Sequence, residues 1–372
     1  MAVTGRGRRP ARPPRVPDRH GGLALFGRIW PGGGAPAFED GVALVDPSGR
    51  LVALGPGRDI EVPTQFRRLG GPTSWVGPGV IDAHVHLAYG SPEQELAGGL
   101  VGLRDLGAPL ERALEWRTEA GDGAPYVAVA GPLLTAPGGY PASGWGADGF
   151  TRFLAGPEDA AAAVAELASA GMDVVKLALE PAGGQPVPSP EVAGAVVRAA
   201  HDHGLPAVAH ALTAVMVERA LDAGVDELVH TPTERLPNRL IDRMAAAGVS
   251  VISTLQTLVA GGDGAGAMAN ARALVAAGVP LLYGTDLGNA GTSPGVDPRE
   301  LARLTEAGLS PQAALRAATE GAAQAAGMAG PSGHLVVGGR ADLVLLAGDP
   351  LLEWDSWRRP VAVVAGESAV LR

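Results

Sequence analysis

The sequence predicts an α/β fold: a (β/α)8 barrel with a smaller β-rich part contributed by both ends of the chain. Three observations carry that expectation. Between residues 78 and 327, apolar runs of strand length alternate with Ala-rich helical segments. Eight such strand-length runs can be counted, and β-like pieces separated by Gly, Pro and Asp turns occupy both flanks. Eight strand-then-helix units in about 250 residues are what a closed parallel barrel requires.

Taken in order, residues 1–21 are rich in Arg and Pro and lack apolar periodicity, so they read as a disordered basic tail. The stretch "LALFGRIW" after it is too short, and too interrupted by Arg28, to be the apolar region of an export signal. Residues 22–77 hold short β-like pieces, "GVALVD", "RLVALG" and "SWV". From 78 the eight strands are "GVIDAHVHL", "LVGLRDLG", "YVAVAG", "MDVVKLAL", "LPAVAHAL", "DELVHT", "VSVISTL" and "VPLLYGTD". Helical segments such as "PEDAAAAVAELASAG" and "RLIDRMAAAG" end at Gly with a strand directly after, the connection parallel sheets use. "PRELARLTEAG" and "SPQAALRAATEGAAQAAG" close the series, and from 328 to 372 the chain returns to short strands, "HLVVG", "ADLVLLAG" and "VAVVAG". Residues 131–156 and the stretch "AGGDGAGAM" read as Gly-rich loops able to line or cover a site.

Composition narrows the function. A net charge of −10 argues against a nucleic-acid partner, which needs a basic surface. With no cysteine, disulfides and thiolate sites are excluded, so a metal would be held by His, carboxylates or a modified lysine. No run of about 18 apolar residues points to a membrane span. A cytoplasmic protein with a small-molecule substrate is expected, and homo-oligomerisation stays open.

In a parallel barrel, chemistry gathers at the C-terminal ends of the strands. Strand one ends in His84 and His86, which share a face because strand side chains alternate. Strand four carries Lys176, strands five and six end in His210 and His230, and strand eight ends in Asp286. Each alone has a plain reading: a strand-end His is more often a hydrogen-bonded structural residue, and Asp286 suits a helix N-cap. Lys176 is harder to set aside, because a buried amine is costly unless paired or chemically altered. Six such residues at strand ends argue for one site.

"PGVIDAHVHL", "VGLRDLG", "GPLLTAPGGY", "VKLAL", "AVAHAL", "ELVHT", "YGTD" and "GGRADLVLLAGDPL" together resemble the amidohydrolase superfamily, in the branch of imidazolonepropionases and metal-dependent prolidases. The resemblance spans residues 38 to 365, and the 20 residues from His210 to His230 are similar to that branch. It implies that both termini build a composite β-sandwich. It also implies that His84 and His86 with Asp286 hold one divalent ion, that His210 and His230 hold a second, and that Lys176, as its CO₂ adduct, bridges them. Physical chemistry agrees with those roles. A desolvated neutral lysine can add CO₂ and become an anionic ligand. Neutral imidazoles and carboxylate oxygens suit Zn²⁺, and also Mn²⁺, Fe²⁺ or Co²⁺. Such an ion lowers the pKa of its bound water, and Asp286 would take the water's proton and pass it to the leaving nitrogen.

The chain departs from the family pattern at Tyr140, where relatives commonly have His, and at "LEPAGG", where prolidase-like members often carry "TGG". Tyr140 is therefore a candidate substrate contact, although loop tyrosines more often pack. Arg104 and Asp105 suggest an internal ion pair beneath the site rather than a substrate contact. His201 and His203 read as surface residues in a last helical turn, and neither His334 nor His20 has an assigned role. "GPGRD" lacks the Lys-Ser/Thr and helix of a phosphate loop.

The sequence thus predicts a metal-dependent hydrolase acting on a C–N bond of a dipeptide, N-acyl amino acid or cyclic amide, with two ions, or one if Lys176 is not carboxylated. The competing readings are a mononuclear deaminase or imidazolonepropionase-like ring hydrolase, and a metal-free barrel serving as scaffold or binding protein.

Overall fold

The computed structural model describes residues 22–119, 124–289, 291–327 and 333–372; the basic tail expected at 1–21 lies outside the described residues. The chain opens with β1 (Leu23–Ile29), β2 (Phe38–Val45), β3 (Leu51–Pro56) and β4 (Arg67–Pro78). There follow β5 (Val80–Val85), β6 (Leu100–Asp105), β7 (Tyr126–Val129), β8 (Leu133–Thr135), β9 (Thr151–Phe153) and β10 (Val175–Ala178). Next come β11 (Ala207–His210), β12 (Glu227–Leu228), β13 (Ser250–Ile252) and β14 (Leu281–Leu282), and the chain ends in β15 (Asp342–Leu346), β16 (Ala362–Ala365) and β17 (Ser368–Leu371).

The two ends share one seven-stranded sheet, in the order β17-β16-β15-β4-β1-β2-β3. Its joint is the antiparallel pairing of β15 with β4, where Leu345 opposes Val76. Side chains alternate across it. Leu25, Ile29 and Leu51 from the first part pack with Leu343, Leu345 and Val364 from the last, while Val344, Leu346 and Val363 turn to the larger core of the helices and parallel strands.

That larger core surrounds two parallel sheets, β14-β13-β12-β11-β10-β8-β9 and β5-β6-β7. Backbone bonds connect them at both edges: Asp173 N donates to Val129 O at 2.9 Å on one side, and Asp286 N to His84 O at 2.8 Å and His86 N to Leu287 O at 2.9 Å on the other. The eight strands expected from the sequence are β5, β6, β7 and β10 to β14. Helices cover them for local reasons. The helix Pro157–Ala170 begins on Pro with Glu158 and Asp159 in its first turn, buries Ala163, Val164 and Leu167, and stops at Gly171. Gly171 adopts φ +87°, a left-handed turn that glycine enters without strain.

Three expectations need correction. Residues 131–156 are not wholly loop, since β8 and β9 within them extend the parallel sheet. The stretch "AGGDGAGAM" lies in the end of the helix Leu255–Gly261 and the start of the helix Gly264–Ala276. "HLVVG" forms a turn rather than a strand, held by Leu335 N on Pro31 O and Gly338 N on Leu51 O. Among the described residues, no helix is long and apolar enough to cross a membrane.

Candidate active site

β5 is buried along its whole length, so its alternation places His84 and His86 side by side at its C-terminal end, with ring centroids 5.3 Å apart. His210 is the last residue of β11, and His230 lies just beyond β12. The rings of His84 and His230 are 4.8 Å apart, and those of His210 and His230 4.6 Å apart. Asp286, past β14, sets Oδ1 3.4 Å from Nε2 of both His84 and His86. The sequence thus brings five of its six strand-end residues into one cluster, and Lys176 on β10 lines the same cavity. All six are buried. Gly107 makes room for this packing, because a Cβ there would come 2.4 Å from Leu133 and 3.1 Å from the His86 ring.

Asp286 is not a helix N-cap. The next helix begins at Pro298 and is capped by Asp297. Asp286 instead takes φ +56°, a left-handed conformation that costs a non-glycine residue energy and recurs where geometry serves function.

Each of three imidazoles is held from behind through Nδ1. The partners are Val229 O at 2.9 Å for His84, Gly107 O at 3.4 Å for His86 and Thr254 Oγ1 at 2.9 Å for His230. A carbonyl can only accept, so Nδ1 of His84 donates and its Nε2 carries the lone pair. That Nε2 is buried without a partner. Burial also lowers the pKa of His84 and His230, and brings His210 down to about 3, so these rings are neutral at pH 7. Neutral imidazoles with inward Nε2 and outward anchors are the arrangement metal ligands adopt.

Lys176 is the complementary anomaly. Burial pulls its amine down to about 7, with the Asp286 charge opposing the shift. Among the described residues it has no ion pair; of its acidic neighbours in sequence, Asp173 pairs with Arg117 at 3.1 Å and Glu180 accepts from Leu212 N at 3.0 Å. The internal ion pair expected at Arg104 and Asp105 forms with a different partner. Arg104 pairs with buried Glu227 and donates to Ala83 O at 2.9 Å, while Asp105 accepts from Leu87 N at 2.7 Å and Gly107 N at 3.1 Å, fixing the turns beside His86.

The cluster floors a cavity of about 310 Å³ whose walls include Tyr89, Leu133, Tyr140, Trp145 and Asn289. The Tyr140 ring lies 5.0 Å from that of His210, the Trp145 ring 4.8 Å from that of His86, and Trp145 Nε1 donates to Tyr140 Oη at 3.4 Å. Sequence reasoning singled out Tyr140 but missed Trp145, Asn289, Thr254 and Asp82. Asp82 had a signal, since it sits two residues before His84 on the same strand face. It accepts from Thr285 Oγ1 at 2.6 Å and from His84 N at 3.0 Å, tying β5 to the segment after β14. His201 pairs with Asp226 at 3.0 Å on the surface, and His203 is exposed, as expected. A larger open groove of about 490 Å³, by Pro280 and Leu281 at the start of β14, holds none of the clustered residues.

Fold and site together define an α/β protein whose His84, His86 and Asp286 can bind a metal ion. Residues 75–366 match the model of the Amidohydrolase family, and the chain belongs to that family. Membership supports a hydrolase acting on C–N bonds. An uncharacterised Mycobacterium tuberculosis protein is 29% identical over 315 residues, covering 74% of this chain and 80% of its own. Among solved structures, a Bifidobacterium longum protein assigned to the prolidases is 27% identical with a TM-score of 0.78, over 95% of each chain. A Xaa-Pro dipeptidase with methionine bound in its active site has a TM-score of 0.80 over 94% of this chain and 99% of its own. At 19% identity, that second likeness is one of fold.

Proposed function

We propose that the chain is a metal-dependent amidohydrolase that cleaves a C–N bond of a dipeptide, an N-acyl amino acid or a cyclic amide. The observation that supports it best is the meeting of His84, His86, Lys176, His210, His230 and Asp286 around one cavity. On this reading the eight parallel strands are a (β/α)8 barrel over residues 78–327. Residues 22–77 and 328–372 form the composite β-sandwich beside it.

The donors fit a divalent ion, as the unpartnered Nε2 of His84 indicates. His84, His86 and Asp286 would hold one ion, His210 and His230 a second, with Zn²⁺ the best match to imidazole and carboxylate donors. Lys176, carboxylated, would bridge the two; a pKa near 7 gives it the neutral amine that CO₂ requires. Ions held there would supply Lewis-acid polarisation of the scissile carbonyl and a nucleophilic water at neutral pH. Asp286, at the cavity floor, would take the proton of the attacking water and pass it to the leaving nitrogen. Tyr140, whose oxygen accepts from Trp145, keeps its own proton to donate to the substrate carbonyl.

One observation favours a one-ion centre as the second reading. Among the described residues, the metal-holding group with all donor atoms within 4.8 Å of one another is His84, His86 and Asp286 alone. Lys176 would then remain an amine. Elemental analysis of protein purified without chelator, followed by a screen of dipeptides, N-acyl amino acids and lactams, tests the proposal. Ion-dependent turnover of any of these supports it, and a metal-loaded protein inert towards all three classes contradicts it.

A further inference from the structure

Thr254 stands at the cap position of the helix Leu255–Gly261, yet its side chain makes no capping hydrogen bond. A threonine there would ordinarily turn its hydroxyl onto the unpaired N–H groups of its own first helical turn. This hydroxyl lies 2.9 Å from Nδ1 of His230 instead. The backbone of Thr254 holds φ +41°, a conformation that persists in a β-branched residue only where the surroundings enforce it.

What enforces it comes from another helix. Glu300, in the first turn of the helix Pro298–Glu306, is fully buried and does not line the cavity. Its Oε1 accepts from Leu255 N at 3.0 Å and its Oε2 from Gln256 N at 2.6 Å. Those are the first two N–H groups of the helix that Thr254 leaves uncapped. A carboxylate distant in sequence thus does the work of the local hydroxyl, and the two N–H donors in turn satisfy a buried charge.

The turn is tied to two of the clustered strand ends. Ser253 O accepts from Thr231 N at 3.3 Å and from Thr231 Oγ1 at 2.9 Å, directly after His230. Thr254 N donates to Gly284 O at 3.1 Å and Thr257 Oγ1 to Thr285 O at 2.7 Å, directly before Asp286.

We propose that Glu300 is a positioning residue: by capping the helix in the place of Thr254, it frees the Thr254 hydroxyl to fix the ring of His230. Without that carboxylate the hydroxyl returns to its own helix end, and His230 loses its anchor. What His230 then does, holding an ion, rests on the hydrolase reading.

Three variants of the full chain test this at about pH 8, where Glu300, its carboxyl raised by burial to about 7, is ionised. Glu300→Gln keeps the shape but sets an amide NH2 against one of the two N–H donors, Thr254→Val deletes the hydroxyl, and the third variant carries both changes. The readouts are the ring-nitrogen NMR shifts of His230 in protein without added metal, hydrogen exchange at the Leu255 and Gln256 amides, and ion affinity in a metal buffer. In Glu300→Gln the His230 ring should pass from one tautomer to a mixture, and ion affinity should fall about tenfold. Exchange at both amides should quicken about three- to tenfold. Thr254→Val should disturb the ring likewise but leave exchange at both amides unchanged, a result that does not depend on a Glu300 variant folding. The double variant should match Thr254→Val in ion affinity within about twofold. An unchanged His230 ring in Glu300→Gln, faster exchange at both amides in Thr254→Val, or additive affinity losses would overturn the inference. The stated ring changes in a protein that binds no ion would uphold it and remove the metal reading alone.

Discussion

Thr254 Oγ1 lies 2.9 Å from Nδ1 of His230, so a hydroxyl just past β13 orients an imidazole just past β12. Thr254 holds φ +41° while doing so, an unusual conformation for a β-branched residue. Thr254→Val keeps the shape and deletes the hydrogen bond. Ion affinity should fall about 10- to 100-fold with the fold intact, measured by titration in a metal buffer. Unchanged affinity would make Thr254 a packing residue only.

Lys176 discriminates the two-ion and one-ion readings. If it bridges, Lys176→Ala removes an anionic ligand from both ions, leaving the second with His210 and His230. Metal content should drop towards one ion per chain, and a short carboxylic acid in solution should restore part of the activity. A variant that keeps two tightly bound ions and full turnover would eliminate the carbamate.

Glu95 sets a pH dependence of stability. It is fully buried with Oε1 unpartnered, Oε2 accepts from Gly295 N at 2.7 Å, and burial raises its carboxyl from 4.5 to about 8. Because the folded pKa is the higher one, its contribution to stability is fully present below pH 4.5 and is lost as the pH rises through about 8. Glu95→Gln should therefore be more stable than the parent at pH 8, by ~1–3 kcal/mol, with the gap closing towards pH 4.5 in denaturant titrations. A difference that does not vary with pH would show that Glu95 is not protonated in the fold.

The shared terminal sheet makes the two chain ends interdependent. Leu345, fully buried on β15, packs with Leu25 and Ile29 of β1 and opposes Val76 of β4. Leu345→Ala should cost ~2–4 kcal/mol and speed hydrogen exchange at β1 and β4 amides as well as at β15. Exchange changes confined to β15 would mean that the ends fold separately.

The strand-end residues were legible because a parallel sheet writes itself into sequence as apolar runs that finish in polar side chains. His84 and His86 needed only the alternation of a strand to be placed on one face. Pairings over long separations were not legible. Arg104 meets Glu227 across 123 positions, and nothing local in "LRD" names that partner. β8 and β9 have three residues each and exist through pairing with β10 and each other, so a Gly-rich stretch hid them. "AGGDGAGAM" misled for the opposite reason. Its glycines weaken helix propensity, yet Ala267 and Met268 bury against the core and tertiary packing prevails. Trp145 reaches His86 through the fold of its loop, which no periodicity encodes.

The central claim is that the six clustered residues hold catalytic metal. Elemental analysis of the protein purified without chelator, before and after exhaustive chelation, tests it most directly. The account predicts one to two divalent ions per chain, with C–N bond hydrolysis lost on their removal and regained on their return. No bound ion after supplementation with Zn²⁺, Mn²⁺, Fe²⁺ and Co²⁺ would contradict it.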